Sequence, residues 1–328
     1  MSSQVTETHS DLLVHDGKPH GNWRDDFFKN GYAIIKGVIS KDRAEYYRQQ
    51  QFKWLKSFGL GFDENDEATW DNDHLPVAFK GGMYLAYSAA HEKFMWEGRL
   101  EPAVQKVFAD IWGTDELLVS FDGFNMTPPR LRGTDWKPWP HCDQHPLRRG
   151  LQCVQGLMNF APNGPKDGGL LLMEGSSQLY DTFFKENRQQ EGDADRPKDL
   201  FIFTQEDVKW FEARGCKLIK VCLEPGDFVV WDSRTMHYAC FPDAESQTIR
   251  SIQYICMTPA KFATKEDLEL KAELFKGWNS TTHWPHCNIH RQGAPMRNGE
   301  VDPLDRKEPL EKPVLSDRLL QLAGVKAY

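Results

Sequence analysis

The stretch Trp136-Lys137-Pro138-Trp139-Pro140-His141-Cys142-Asp143 decides how the rest of the chain is read. Its two prolines keep the approach extended and stiff, because each fixes its own φ and pushes the preceding residue out of helical space. An extended segment turns residues i and i+2 to one side, so His141 and Asp143 converge on a common point. A neutral imidazole and a carboxylate that converge make two-thirds of a facial metal site, which needs one more histidine from elsewhere. The spacing alone discriminates little. His9-Ser10-Asp11 repeats it in a polar N-terminal tail where no site is expected.

The missing nitrogen is offered downstream. Residues 223–231 read as strand, turn and strand, with Pro225-Gly226-Asp227 as the turn, and the second strand aims at His237. Brought beside His141 and Asp143 on a separate strand, His237 completes three ligands on one face of an iron ion. Three coordination positions then stay open: two for a chelating 2-oxo acid and one for O2. Arg250 follows across a predicted hairpin in an otherwise apolar strand with Ile249, Ile252, Tyr254 and Ile255. A charge facing inward there is costly without an anionic partner. A guanidinium grips a carboxylate through two parallel hydrogen bonds, as the far end of 2-oxoglutarate requires.

Working outward, turns separate several short strands. They are expected at 32–36, 117–121 (running on towards Asn125), 152–161, 170–173, 218–223, 228–231 and 248–257. The strand 152–161 has one face carrying Cys153, Gln155, Leu157 and Asn159 and another carrying Val154, Gly156, Met158 and Phe160. Helices are expected at 23–29, at 41–58 behind the cap Ser40, at 89–98, 102–112, 179–190 and 205–214, and from Thr264, where Asp267 approximates a capping box. Residues 59–82 read as a long loop and 278–313 as a wrapping loop. The pattern is mainly β with helical cover, a jelly roll or cupin-like double-stranded β-helix with N-terminal and inserted helices. A doubly wound sheet would need regular strand–helix alternation and usually a Gly-rich phosphate loop, and neither is present. The expected organisation is a disordered or loosely attached tail at 1–20 and a single domain at 21–328. Within that domain fall a helical part to about 115, a core at about 116–260, and a C-terminal helix with wrapping loop at 261–328.

Taken in this order, His141-x-Asp143, Asp167-Gly168-Gly169-Leu170 with Gly175-Ser176, Pro225-Gly226-Asp227, His237 and Arg250 resemble the phytanoyl-CoA dioxygenase family of Fe(II)/2-oxoglutarate-dependent oxygenases, particularly its fungal-type members. Phe94-Met95-Trp96 and Ile111-Trp112-Gly113-Thr114 resemble the helical part of that subgroup, and the resemblance spans about residues 25–260. It implies iron ligands at His141, Asp143 and His237 and a 2-oxoglutarate anchor at Arg250. It also implies oxidation of an unactivated C–H, by hydroxylation or by desaturation or ring closure, coupled to conversion of 2-oxoglutarate to succinate and CO2. Two features depart from the family pattern. Glu174-Gly175-Ser176-Ser177 stands where many relatives have Pro-Gly-Ser-His, and Arg250 lies slightly further from His237 than in some members. Asp143 is retained, which disfavours halogenation, since halogenases of this group lack the carboxylate.

Secondary candidates surround these residues. Gln155 and Asn159 share a strand face and are candidates for the 2-oxoglutarate carboxylate or the substrate. Arg234 is a candidate for an acidic substrate or 2-oxoglutarate. Gln144, His145 and Arg148 are candidates for the substrate entrance, while Trp139 and Trp231 read as packing. His283, His286, Cys287 and His290 have the types and crowding of a zinc site but no matching second pair of ligands. The competing readings are a catalytically silent jelly-roll binding protein and a cupin-like metalloenzyme that does not use 2-oxoglutarate.

Composition bounds the partners. With 40 basic and 48 acidic residues the formal charge is −8, which argues against a nucleic-acid surface. No apolar run approaches the roughly 18 residues of a membrane span. Seven cysteines without regular spacing read as reduced thiols, and the cytoplasm is the expected compartment. A small-molecule substrate is expected, from secondary metabolism or amino-acid modification, and a homodimer is the base-rate expectation.

Overall fold

The structure, a computed structural model, describes residues 17–132, 137–187 and 199–328. Most of the expected tail, Trp136 and much of the charged segment after the 179–190 helix lie outside those residues.

The N-terminal part supplies α1 (Trp23–Asn30), β1 (Tyr32–Ile35), α2 (Lys41–Lys56), β2 (Met83–Tyr84), α3 (Lys93–Leu100) and α4 (Pro102–Trp112). Next come β3 (Leu117–Val119), β4 (Phe124–Thr127), β5 (His141–Cys142), β6 (Val154–Asn159), β7 (Gly169–Glu174) and α5 (Ser176–Asn187). Then follow β8 (Phe201–Ile202), α6 (Gln205–Glu212), β9 (Lys217–Lys220), β10 (Phe228–Asp232), β11 (His237–Cys240), β12 (Arg250–Tyr254) and β13 (Met257–Pro259). The chain closes with α7 (Lys265–Lys276), the hairpin β14 (Met296–Arg297) and β15 (Glu300–Val301), and α8 (Asp317–Leu322).

Two antiparallel sheets build the core, in the orders β1-β10-β6-β12-β4-β2 and β8-β5-β11-β7-β9. This is the double-stranded β-helix. Period-two alternation explains how the larger sheet is buried on both faces. On β6, Val154 and Met158 pack against the N-terminal helices with Tyr47, Trp96 and Phe108, whereas Leu157 faces the interior with Leu172, Val229 and Trp231. On β12, Ser251 and Gln253 bond back to Gln51 of α2 and to the Met95 carbonyl of α3, so Arg250, Ile252 and Tyr254 are left to the interior. A second apolar layer covers the smaller sheet, with Phe183, Phe201, Phe203 and Phe211 packed on Cys142 and Met236.

Local chemistry sets the helix ends. Ser40 accepts from the Arg43 N–H at the start of α2, and Thr264 with Asp267 closes a full capping box on α7. Gly31 ends α1 in the left-handed region at φ 84°, donating to the Phe27 carbonyl.

Four differences from the sequence reading have physical causes. The strand expected at 117–125 is two strands. At Gly123 a Cβ would collide with the Tyr84 carbonyl, and there the chain leaves the small β3–β13 pair for the larger sheet. The strand expected at 248–257 splits likewise into β12 and β13, so both chains step across together. The helix expected at 89–98 is a 3-10 turn followed by α3. Glu92 sits at the joint, where its carboxylate accepts from the Trp54 indole and from the Leu310 and Glu311 amides. α8 was not expected, being only six residues, capped by Ser316. No helix among the described residues is long and apolar enough to cross a membrane.

One buried charge yields a measurable consequence. Lys271 is 1% exposed and donates to the Val119 carbonyl. Burial, with nearby Arg99, pushes its ammonium down to about 7 from an ordinary 10.5. The unfolded chain keeps this proton up to the ordinary value while the folded chain sheds it near 7, so stability rises with pH across that window. Lys271→Met is expected to flatten the rise, read from urea midpoints at pH 7 and pH 9.5.

Candidate active site

His141 and His237 are cross-strand partners on β5 and β11, which brings the two imidazoles side by side, tilted by 48° with ring centroids 4.3 Å apart. Asp143 follows β5, its amide donating to the Ser233 carbonyl at 2.9 Å. Its Oδ2 lies 3.7 Å from His141 Nε2 and 3.1 Å from His237 Nε2. Each histidine donates from Nδ1 to a backbone carbonyl two residues earlier, His141 to Trp139 and His237 to Thr235, both at 2.9 Å. That arrangement frees both Nε2 lone pairs towards Asp143, the tautomer a metal ligand needs. Among the described residues this is the one cluster of three metal-binding side chains.

Electrostatics agree with the donor set. Burial, with His237 close by, pushes the His141 imidazole down to about 3, leaving it neutral. Burial works to raise the Asp143 carboxyl, but His283, His141 and His237 together hold it well below the usual carboxylate range. Two neutral nitrogens and one carboxylate on one face fit Fe(II).

Other predicted residues fall differently. Gln155 donates to Asp143 Oδ2 at 2.9 Å, so it steadies the carboxylate instead of reaching a cofactor. Asn159 donates to the Ala161 and Glu224 carbonyls and ties the strand end to the Pro225-Gly226 turn, a structural role. Arg234 is half-buried and grips Asp232 at 2.6 Å, which ties up its guanidinium. Gln144 is held by Ser233 and the Gly150 carbonyl, and the His145 amide and Arg148 guanidinium both bind Asp199. These last three brace the loop behind the site. The 283–290 group does not gather: His286 meets Thr258, His290 meets Asn288, and Cys287 meets Arg148.

Arg250 faces inward, half-buried, and lines a cavity with Lys80, Asn125, Thr127, Gly169 and Thr248. Among the described residues no carboxylate forms an ion pair with it. The sequence reading missed Lys80. Its ammonium lies over the Trp139 ring, which in turn stacks on His141 at 3.8 Å and 6°. Burial pushes Lys80 down to about 8 against the pull of Asp143. Lys80 sits in the 59–82 loop beside Gly81 and Gly82; Gly82 takes φ 127°, and a Cβ there would strike Thr127 and the Met126 carbonyl. That glycine pair marks close docking of the loop on β4. Trp231, read as packing, stands 5.4 Å from His237, its indole N–H buried without a partner.

A family model, phytanoyl-CoA dioxygenase, matches residues 27–240. The chain belongs to the phytanoyl-CoA dioxygenase family. It is accordingly a non-haem iron, 2-oxoglutarate-dependent oxygenase. The chain is 51% identical over 299 residues to "Ava biosynthesis cluster protein O" of Aspergillus versicolor, covering 87% of this chain and 96% of that protein. Among solved structures, the epimerase SnoN in complex with Fe3+, alpha ketoglutarate and nogalamycin RO matches with a TM-score of 0.52 at 13% identity, covering 90% of this chain and 95% of that one. EctD from S. alaskensis with bound Fe matches with a TM-score of 0.53 at 14% identity, covering 78% and 84%. At such identities these two likenesses speak to the fold.

The geometry separates two variants. Gln155→Ala should weaken metal binding by roughly 10- to 100-fold, measured by calorimetric titration with Co(II) in place of Fe(II). Arg234→Ala should leave that affinity unchanged yet lower the unfolding midpoint, because it strands the buried Asp232 carboxylate.

Proposed function

We propose that the protein oxidises a C–H bond of a small organic molecule, with Fe(II) held by His141, Asp143 and His237 and 2-oxoglutarate held in the Arg250 cavity. The observation that carries this reading is the pairing of a three-ligand face with an inward guanidinium that has no carboxylate partner among the described residues. When bound, the iron and 2-oxoglutarate supply O2 activation coupled to loss of CO2 and removal of hydrogen from carbon. The chain's residues do the rest. Arg250 and Lys80 offer two positive charges to a dicarboxylate, and the hydroxyls of Thr127 and Thr248 line the same cavity. Gln155 holds Asp143 on the ligand face, while Trp139 and Trp231 shield the two histidines.

Asp143 occupies the carboxylate position, which favours hydroxylation, desaturation or ring closure over halogenation. The 51% identity to a biosynthesis-cluster protein supports a substrate from secondary metabolism. All seven cysteines are free thiols, in keeping with a cytoplasmic setting.

Anaerobic titration of the apoprotein with Fe(II) and 2-oxoglutarate is expected to develop the weak visible metal-to-ligand charge-transfer band. His237→Ala should lose the band, and His141→Ala or Asp143→Ala should abolish turnover. Arg250→Ala should keep the band but need at least tenfold more 2-oxoglutarate to reach it. A well-folded wild-type protein without the band sinks the reading.

A further inference from the structure

Trp139 holds His141 at two points. Its carbonyl accepts from His141 Nδ1 at 2.9 Å, and its indole lies parallel to the imidazole, with 6° between the planes and 3.8 Å between the centroids. The backbone around it leaves little freedom. Pro138 and Pro140 fix their own φ angles, and Pro140 keeps the preceding Trp139 extended. The Pro140 carbonyl in turn accepts from the Phe203 amide at 2.8 Å, which ties the segment to β8.

The indole has a second neighbour. The Lys80 ammonium lies 2.6 Å from its centroid and 5.2 Å from that of Phe79. A 3.8 Å stack leaves no room for an ammonium between its rings, so Lys80 occupies the face turned away from His141. Lys80 is held in the left-handed region at φ 43°, an uncommon conformation for a residue with a Cβ. It forms no ion pair among the described residues, and it lines the same cavity as Arg250. An ammonium on a ring face has a better partner in a carboxylate, because a charge-assisted hydrogen bond outweighs attraction to a ring quadrupole.

We propose that Trp139 is a positioning residue for the oxygenase reaction: its indole, clasped between Lys80 and His141, fixes the iron ligand and holds Lys80 back until a carboxylate in the cavity claims it. The one contact therefore strengthens metal binding and opposes 2-oxoglutarate binding. This rests on the functional reading above, in which Lys80 and Arg250 receive 2-oxoglutarate.

The test measures the two ligands separately. Calorimetric titration of the apoprotein reads Co(II) affinity, and the charge-transfer band at saturating Fe(II) without O2 reads the 2-oxoglutarate requirement. Trp139→Leu is expected to bind Co(II) roughly tenfold more weakly, yet to reach half of the band at about threefold less 2-oxoglutarate. A role in packing alone would weaken both. Trp139→Phe keeps a smaller ring and should show the same opposed shifts at reduced size, which decides the matter if the leucine variant does not fold. Lys80→Met should need about tenfold more 2-oxoglutarate at unchanged Co(II) affinity. In that background Trp139→Leu should no longer lower the 2-oxoglutarate requirement, because the two residues act as a coupled pair. Weakening of both ligands in Trp139→Leu, an unchanged 2-oxoglutarate requirement, or the same gain in the Lys80→Met background overturns the inference. Any of these beside a normal wild-type band overturns this inference alone, whereas a missing wild-type band overturns the functional reading and this inference with it.

Discussion

The pairing of His141 with His237 across β5 and β11 is the constraint on which the rest of the site depends. β5 is only two residues long, too short to hold a ligand in place by itself. It is kept in register by β11 on one side and β8 on the other, and the Asp143 amide reaches across to Ser233. A slip of β5 by one residue would turn His141 to the opposite face, away from His237. The backbone carbonyls of Trp139 and Thr235 are placed by the same register, and they decide which ring nitrogens stay free. Metal geometry and strand pairing are therefore one problem here.

Much of this could be read from local periodicity. The i,i+2 rule placed His141 and Asp143 together, and alternation along residues 152–161 distinguished two faces of different kind. The apolar neighbours of Arg250 pointed to an inward charge in need of an anionic partner. What failed was partner choice, since spacing does not reveal it. Gln155 was assigned to the right face, but its bond goes to Asp143 twelve residues earlier. Arg234 carried a local signal that was not used. Asp232 sits two residues before it, accepts its amide and then its guanidinium, and removes it from any ligand. Lys80 lay in a loop with no periodicity, where only the fold could bring it to the cavity.

Behind the site lies an unusual concentration of buried charge. Arg99, Lys271 and Asp122 are all largely buried, and Arg99 and Lys271 bond mainly to backbone carbonyls. Such groups cost stability unless they are well satisfied. Their arrangement has an order to it. The Lys271 ammonium lies over the Phe121 ring, and the Arg99 guanidinium lies over the Trp96 ring while donating to the Asp122 backbone carbonyl. A core tuned only for stability would replace this group with apolar side chains.

The C-terminal loop shows how such a chamber can change without disturbing the metal. Its grip on the barrel comes from Trp284 among Cys153, Cys256 and Cys287, and from Arg148, which stacks on Trp284 while binding Asp199. Those contacts are made from the outside of the ligand face and leave His141, Asp143 and His237 to be placed by strand register alone. Substitutions in the loop can therefore be accommodated while the ligands keep their positions. The division is physical: hydrogen-bonded strands hold the part that must not move, and side-chain packing holds the part that selects. Residues of the second kind are the harder ones to recognise in a sequence, because packing partners carry no fixed spacing.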